Sequence, residues 1–352
     1  MALATLPVVT HGAGTDAWAS GVLTMLVSMV LAALVAGLNA RFPGQTVVEY
    51  SRILAGKFIG GLYSLWLLWM LLHISMTHIR IYIEIIVGVF LNNTPMLFLA
   101  GAMVLLSIVA VNHGVEVLGR MADAIIPIFL LFLTLSLVAA FSDFDADELR
   151  PVLQRGFSPI LEGAFVPVAL AAQYVSVMFL GAQVNEPEKL VRDTVIAAFL
   201  SGLTVALAGL VTVGVLGAAH AQHATFPFFK MMRAVEISPF LERMEVLAIV
   251  AWGAGIFVDV SAMLFSGAKG LSQLLGLKNQ RHLLPPMGVV LALFAVFAFR
   301  DYSDVAGLFQ PAVVFPYVMA TIFLPVLMLW GAYFVKKFRG TLPGGTGGRN
   351  DG

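Results

Sequence analysis

Cysteine is absent from this chain of 352 residues. Disulfide bonds, thiolate metal sites and cysteine nucleophiles are therefore excluded. Charge is also scarce, because Asp, Glu, Lys and Arg make up only 11% of the residues, against about 25% in a soluble domain. The formal net charge is +0, so the chain lacks the excess of basic residues that is typical of nucleic-acid-binding proteins. We expect no nucleic-acid partner.

Motifs for catalysis and cofactor binding are lacking as well. The seven histidines follow no metal-ligand spacing, and the chain has no Walker loop, GxSxG elbow, HExxH pair or deaminase signature. A cleavable signal peptide is not evident, because the N-terminus has no basic region and its short apolar run meets His11 and Gly12. We predict a protein that is not an enzyme and that uses no cofactor or metal.

What the chain has in abundance is apolar sequence, at 60% hydrophobic residues and a mean hydropathy of +0.94. Lipid must be its solvent, and a helix crosses the hydrocarbon with about 20 apolar residues. The short linkers predict one all-α transmembrane bundle over 1–339, followed by a disordered Gly-rich tail over 340–352. The nine predicted spans are residues 17–39, 62–91, 95–112, 121–141, 160–183, 194–217, 245–267, 283–299 and 311–335.

The distribution of Lys and Arg predicts the orientation. Thirteen of these residues lie in one set of loops and six in the opposite set, with Arg80 inside a span. The richer set, which includes the C-terminus, should be cytoplasmic. Nine spans that end inside must start outside, so residues 1–10 are expected to be the outer remnant of a first helix whose inner half is missing. The outer linker 218–244 predicts a short amphipathic helix, with a plain loop as the alternative.

Polar residues inside the spans are the candidate site. His73, Thr77, Arg80 and Glu84 are spaced 4, 3 and 4 apart and form one stripe of a helix. Arg80 and Glu84 can pair one turn apart. The stripe indicates a ligand-facing or gating group, while the alternative is an ion pair and a histidine that only join helices.

Two further spans carry polar groups. Gln173 and Tyr174 lie near the middle of 160–183, where Gly and Pro loosen the helix and freed backbone could bind a ligand. Tyr174 could equally be a buried aromatic residue with a satisfied hydroxyl. In 245–267, Asp259 and Ser261 interrupt an apolar run, and Asp259 could pair with a ligand ammonium, take up a proton or pair with Arg80.

Six segments in chain order resemble the membrane-embedded B subunit of bacterial spore germinant receptors, a branch of the amino acid–polyamine–organocation transporters. Each segment alone is weak evidence, but together they cover nearly the whole chain at helix junctions. The segments are AGTDAWAS (13–20), FPGQTVVEY (42–50), LNNTP (91–95), GVEVLGR (114–120), FLERME (240–245, with Trp252 following) and GLSQLLGLK (270–278).

The resemblance implies a LeuT-like fold of two inverted five-helix repeats, with helices one and six broken at mid-membrane. It implies a subunit of the inner spore membrane that binds a small nutrient, an amino acid, and works with A and C receptor subunits. Glu242 and Arg243 fall in the FLERME segment, and Glu162-Gly163 resembles a family EG pair at the outer start of its helix. These three residues are candidate gate or partner contacts. A helix-start role is the alternative for Glu162. The family's Gly-rich first-helix segment is missing from the sequence, and Asp259 stands near a position where the family often has a basic residue.

Two other functions stay open at this point. One is a proton- or cation-coupled amino-acid transporter, for which Arg80, Glu84 and Asp259 would suit the coupling. The other is a scaffold that anchors partner subunits and binds no ligand.

Overall fold

The computed structural model describes residues 6–234 and 244–342, and within these ranges the chain is helical with no β-strand. The helices are α1 (Leu6–Ala13), α2 (Ala17–Asn39), α3 (Val47–Ala55), α4 (Lys57–Val89), α5 (Met96–Asn112), α6 (Val115–Ala140), α7 (Ser158–Leu170), α8 (Val177–Leu180), α9 (Leu190–Leu216), α10 (Ala218–Gln222), α11 (Pro227–Ala234), α12 (Met244–Leu275), α13 (Leu284–Phe297), α14 (Tyr302–Leu308), α15 (Pro311–Val318) and α16 (Leu324–Phe338).

Seven stretches of the described chain are long and apolar enough to cross a membrane, and they correspond to seven of the nine predicted spans. The other two predicted spans are present as helices of different character. Helix α5 has only 17 residues, and the last helical stretch runs from α15 into α16 through a π-helical turn at Met319–Phe323. The all-helical multi-span class is therefore confirmed, and the count of nine stays a prediction.

The chain reverses at Gly14, between α1 and α2. Gly14 has a φ of +59°, the left-handed region that favours glycine. A Cβ atom added to Gly163 in α7 would lie 3.1 Å from the Val9 carbonyl oxygen and 2.7 Å from the Ser20 hydroxyl. A straight helix would separate residues 9 and 20 by about 16 Å along its axis. Helices α1 and α2 therefore form a hairpin, with Gly163 packed between them.

Helices α2 and α9 pack against each other along their length. Gly21 faces Ala206, Gly202 faces Met25, and Gly209 lies against Ala17, so residue numbers fall along one helix as they rise along the other. The two helices are therefore antiparallel. Small residues at this contact let the two backbones approach closely, which is how helices associate in lipid.

Two of the long helices are irregular near their middle. After Pro167, the helix that starts at α7 tightens into a 3-10 stretch at Ala171–Ser176 before the short α8. Pro316 lies within α15, and the π-helical turn follows three residues later. A proline removes one backbone hydrogen bond and crowds the preceding turn, so each helix is weakened just before the point where its type changes.

The linker segments differ in how they are held. The amphipathic helix predicted in 218–244 is present as α11, where Phe228 and Met231 are buried and Lys230 is exposed. In the acidic linker 142–157, the carboxylate of buried Asp16 accepts the backbone N–H of Leu153 at 3.0 Å. That bond holds Leu153 at a φ of +55°.

Some predictions lie outside the described residues. Glu242 and Arg243, the two candidate contacts from the FLERME segment, are among them, as is the tail from 343 onward. The remnant role of residues 1–10 and the domain bounds also stay predictions.

Candidate functional site

A cavity of about 240 Å³ lies between α4, the irregular helix α7–α8 and the last helical stretch. Its wall is almost wholly apolar, with four polar side chains. The 3-10 stretch reaches it through Ala172, and Val318, the last residue before the π-helical turn, lines it on the other side. The polar side chains in the wall are those of His73, Thr77, His78 and Tyr317.

His73 links α4 to α15 across the cavity. Its Nδ1 atom lies 2.7 Å from the Tyr317 hydroxyl, and the Trp69 ring stacks on the imidazole with centroids 6.0 Å apart. Thr77, one turn on, donates its hydroxyl to the His73 carbonyl oxygen at 2.8 Å. The predicted ligand residues His73 and Thr77 therefore do line one cavity, although Nδ1 of His73 and the Thr77 hydroxyl already have protein partners.

His78 is the fourth polar group of this wall, and it pairs with Asp259 of α12. Nδ1 of His78 lies 2.5 Å from Oδ2 of Asp259, with 2% and 28% of the two side chains exposed. Among the described residues, no hydrogen-bond partner reaches the buried Nε2 of His78. Sequence reasoning left His78 off the polar stripe, yet it is the partner that a carboxylate inside a span requires.

Arg80 and Glu84 lie farther along α4 and form a separate unit. Arg80 contacts the Glu84 carboxylate through Nε at 2.8 Å and through Nη2 at 2.7 Å. Its Nη1 atom donates to the carbonyl oxygens of Val296 and Phe299, at 2.8 and 3.3 Å, where α13 ends. A cation that bonds the last carbonyls of a helix caps its negative end. This geometry fits the alternative in which the Arg80–Glu84 ion pair only joins helices. Asp259 pairs with His78, so the predicted option of an Asp259–Arg80 pair is wrong.

Gln173 and Tyr174 face a different space. They line a gap of about 20 Å³ between α2, α7–α8 and α9, together with Thr24 and Ser201. That volume is about what one water molecule requires. The 3-10 stretch does fall at these two residues, as the Gly and Pro pattern indicated. Their ligand role stays a prediction, because the structure places them apart from His73 and Thr77.

Ser261 and Glu162 are the remaining predicted site residues that the structure describes, and their functional roles stay predictions. Ser261 is fully buried and donates to the Phe257 carbonyl oxygen of its own helix at 2.7 Å. Glu162 is exposed and accepts a hydrogen bond from Ser158 one turn earlier, at 3.3 Å. Neither residue lines the main cavity.

Comparison with known proteins identifies the family of this chain. The family model described as "Spore germination protein" matches residues 2–303. The chain belongs to this spore germination protein family. Curated relatives include spore germination protein KB of Bacillus subtilis, 26% identical over 83% of this chain and 79% of the relative. Spore germination protein B2 of the same species is 24% identical over 84% and 80%.

A longer match extends to spore germination protein A2 of Bacillus subtilis, 22% identical over 95% of this chain and 91% of the relative. Membership in the spore germination family and the apolar helices together make the chain a multi-pass membrane protein of the germinant receptor type. The family is a permease-like receptor family and not a known enzyme family.

Proposed function

We propose that this protein is the membrane-embedded sensing subunit of a germinant receptor and that it binds a small nutrient, an amino acid with an apolar side chain. The observation that carries the proposal is the 240 Å³ cavity, whose wall is apolar except for a few convergent polar groups. Ligand sites in proteins have this character, and the modest volume suits a small molecule.

The proposal includes a LeuT-like arrangement. In that arrangement α2 and α9 would be the second helices of two inverted repeats, and α7–α8 would be the broken sixth helix. The antiparallel packing of Gly21 on Ala206 and the 3-10 stretch at Ala171–Ser176 support it. We further propose that the C-terminus is cytoplasmic, that the membrane is the inner one of the spore, and that A and C subunits are the partners.

Sensing requires that the ligand favour one packing of the bundle over another. The cavity is bordered by the 3-10 stretch at Ala172 and by Val318, the residue before the π-helical turn, and irregular segments of this kind often mark hinges. A ligand that contacts Ala172 and Val318 would bias both. Partner subunits would then respond to the changed packing of α7–α8 and α15–α16.

The test is a thermal-shift panel of amino acids on the purified full chain, because a ligand that binds only the folded state raises its melting temperature. Val314→Phe fills the cavity and should abolish the shift. Val326→Phe is the matched control, since it adds the same volume to the same buried core but outside the cavity. A flat panel, or a shift that survives Val314→Phe, would contradict the proposal.

A coupled transporter is the second candidate, and the His78–Asp259 pair favours it, because titratable pairs inside spans often carry protons. Uptake of labelled amino acid by the chain alone in liposomes, driven by an imposed proton gradient, would support the transporter. Binding without uptake would support the sensor.

A further inference from the structure

The wall of the main cavity offers a ligand little polar contact. Among the described residues, no Asp, Glu, Lys or Arg lines it. The Tyr317 hydroxyl bonds to Nδ1 of His73, and the Thr77 hydroxyl donates to a carbonyl oxygen of its own helix. Asp259 holds Nδ1 of His78, and Nε2 of that ring has almost no accessible surface. The side chains of the described wall therefore leave at most Nε2 of His73 and the spare lone pairs of two hydroxyl groups.

This balance keeps the charged groups of an amino acid out of the cavity. An ammonium and a carboxylate lose their hydration on burial, and the loss is offset only by an opposite charge together with full hydrogen bonding. An imidazolium at His73 would meet the carboxylate but would leave the ammonium unpaired. An apolar group has the opposite balance, because its transfer from water into an apolar space is favourable.

The cavity has an open side at the first turn of α15. Val313 lines the cavity with 45% of its surface exposed, whereas the neighbouring Val314 is buried. The predicted span 311–335 begins at the same turn, so this side should lie near a boundary of the membrane. A ligand that inserts its apolar group as far as Val314 would keep its charged groups at the boundary, in contact with water.

We propose that the cavity recognises only the uncharged apolar group of its ligand, so that neutral molecules with the same apolar group bind in the same place. This inference rests on the proposed function, because it takes the cavity as the ligand site. It goes further in adding a class of ligand, small uncharged apolar molecules that lack both the ammonium and the carboxylate.

The test compares ligands that share an apolar group, on the full chain in lipid nanodiscs. Leucine and 4-methyl-2-pentanone both carry an isobutyl group, and valine and 3-methyl-2-butanone both carry an isopropyl group, but the ketones have no charge. Aspartate has a carboxylate where leucine has its isopropyl group. From thermal-shift titrations we expect each ketone and its amino acid to have dissociation constants within about tenfold of each other, and aspartate to give no measurable shift.

The outcomes separate this inference from the proposed function. Amino acids that bind while the ketones do not, or aspartate that binds as well as leucine, would overturn the inference and leave the proposed function standing. Ketones that bind while neither amino acid does would support the inference and overturn the proposed function. No binding by any of the four apolar ligands would overturn both.

Ketones also dissolve in lipid, so their effect must be assigned to the cavity. Val314→Phe should remove the ketone shift and Val326→Phe should retain it, because only Val314 lines the cavity. A ketone shift that survives Val314→Phe comes from the bilayer and overturns the inference. If Val314→Phe does not fold, competition on the unmodified chain decides. There, 4-methyl-2-pentanone at about ten times its dissociation constant should weaken the apparent leucine affinity about tenfold, and an unchanged leucine affinity would contradict a shared site.

Discussion

Nδ1 of His78 and Oδ2 of Asp259, 2.5 Å apart, join α4 to α12 inside the bundle. The imidazole is buried and has no other partner among the described residues, so its bond to Asp259 is the one interaction that satisfies it. We predict that Asp259→Ala lowers the free energy of unfolding by about 1–3 kcal/mol, because it leaves a buried polar group unsatisfied.

A double-mutant cycle isolates that interaction from general packing effects. His78→Phe keeps a ring in the same space and removes both nitrogens. If the pair is coupled, Asp259→Ala should cost less in the His78→Phe background than alone, by about 0.5–3 kcal/mol. Chemical unfolding in detergent measures all four proteins, and strictly additive effects would show that the pair is not energetically linked.

Arg80 is predicted to stabilise the bundle without contacting the ligand. Its donors are used by Glu84 and by the carbonyl oxygens of Val296 and Phe299. Arg80→Ala should destabilise the protein by about 3–5 kcal/mol, because it leaves Glu84 and the end of α13 without their cation. Glu84→Gln, which keeps a hydrogen-bond acceptor near Arg80, is the milder comparison.

The measurement that separates the two roles of Arg80 is ligand affinity in folded protein. Glu84→Gln should leave the amino-acid affinity close to that of the unmodified chain. A large loss of amino-acid affinity in a variant that melts normally would instead assign Arg80 and Glu84 to the ligand site, as the polar stripe predicted.

The sequence predicted helices well and their mutual contacts poorly, for a physical reason. The length of an apolar run and the spacing of polar residues are local properties, so the spans, α11 and the polar stripe of α4 could be read directly. Which face of α4 meets α12 depends on helix rotation and on packing between distant segments. His78 lies one position from Thr77, outside the 4, 3 and 4 spacing of the stripe, so local spacing does not identify it as the partner of Asp259.

The same reason explains the division of the predicted site. Gln173 and Tyr174 were correctly placed at an irregular point of their helix. Successive residues of a helix face different directions, however, and these two face α2 and α9 while Ala169 and Ala172 face the main cavity. A pattern of residue types contains no information on which neighbour occupies each side.

The contact between α2 and α9 should be intolerant of added volume. A Cβ atom at Gly202 would collide with the Met25 backbone, whereas one at Gly101 in α5 meets no atom within 4 Å. We predict that Gly202→Ala destabilises the protein by about 1–3 kcal/mol through overpacking. Gly101→Ala should be neutral or slightly stabilising, because alanine has the higher helix propensity. Melting temperatures that fall equally for the two variants would contradict the close approach.

Asp16 should control the exposure of the linker 142–157 to protease. Its carboxylate accepts the Leu153 N–H and so holds that residue in a left-handed conformation that costs about 1–3 kcal/mol. Asp16→Ala removes the bond that offsets this cost, so the linker should open and trypsin should cleave after Arg155 several times faster. Asp143→Ala, which removes an exposed carboxylate from the same linker, is the control. Cleavage is followed by mass spectrometry of the fragments. Equal cleavage rates in the two variants would show that Asp16 does not anchor the linker.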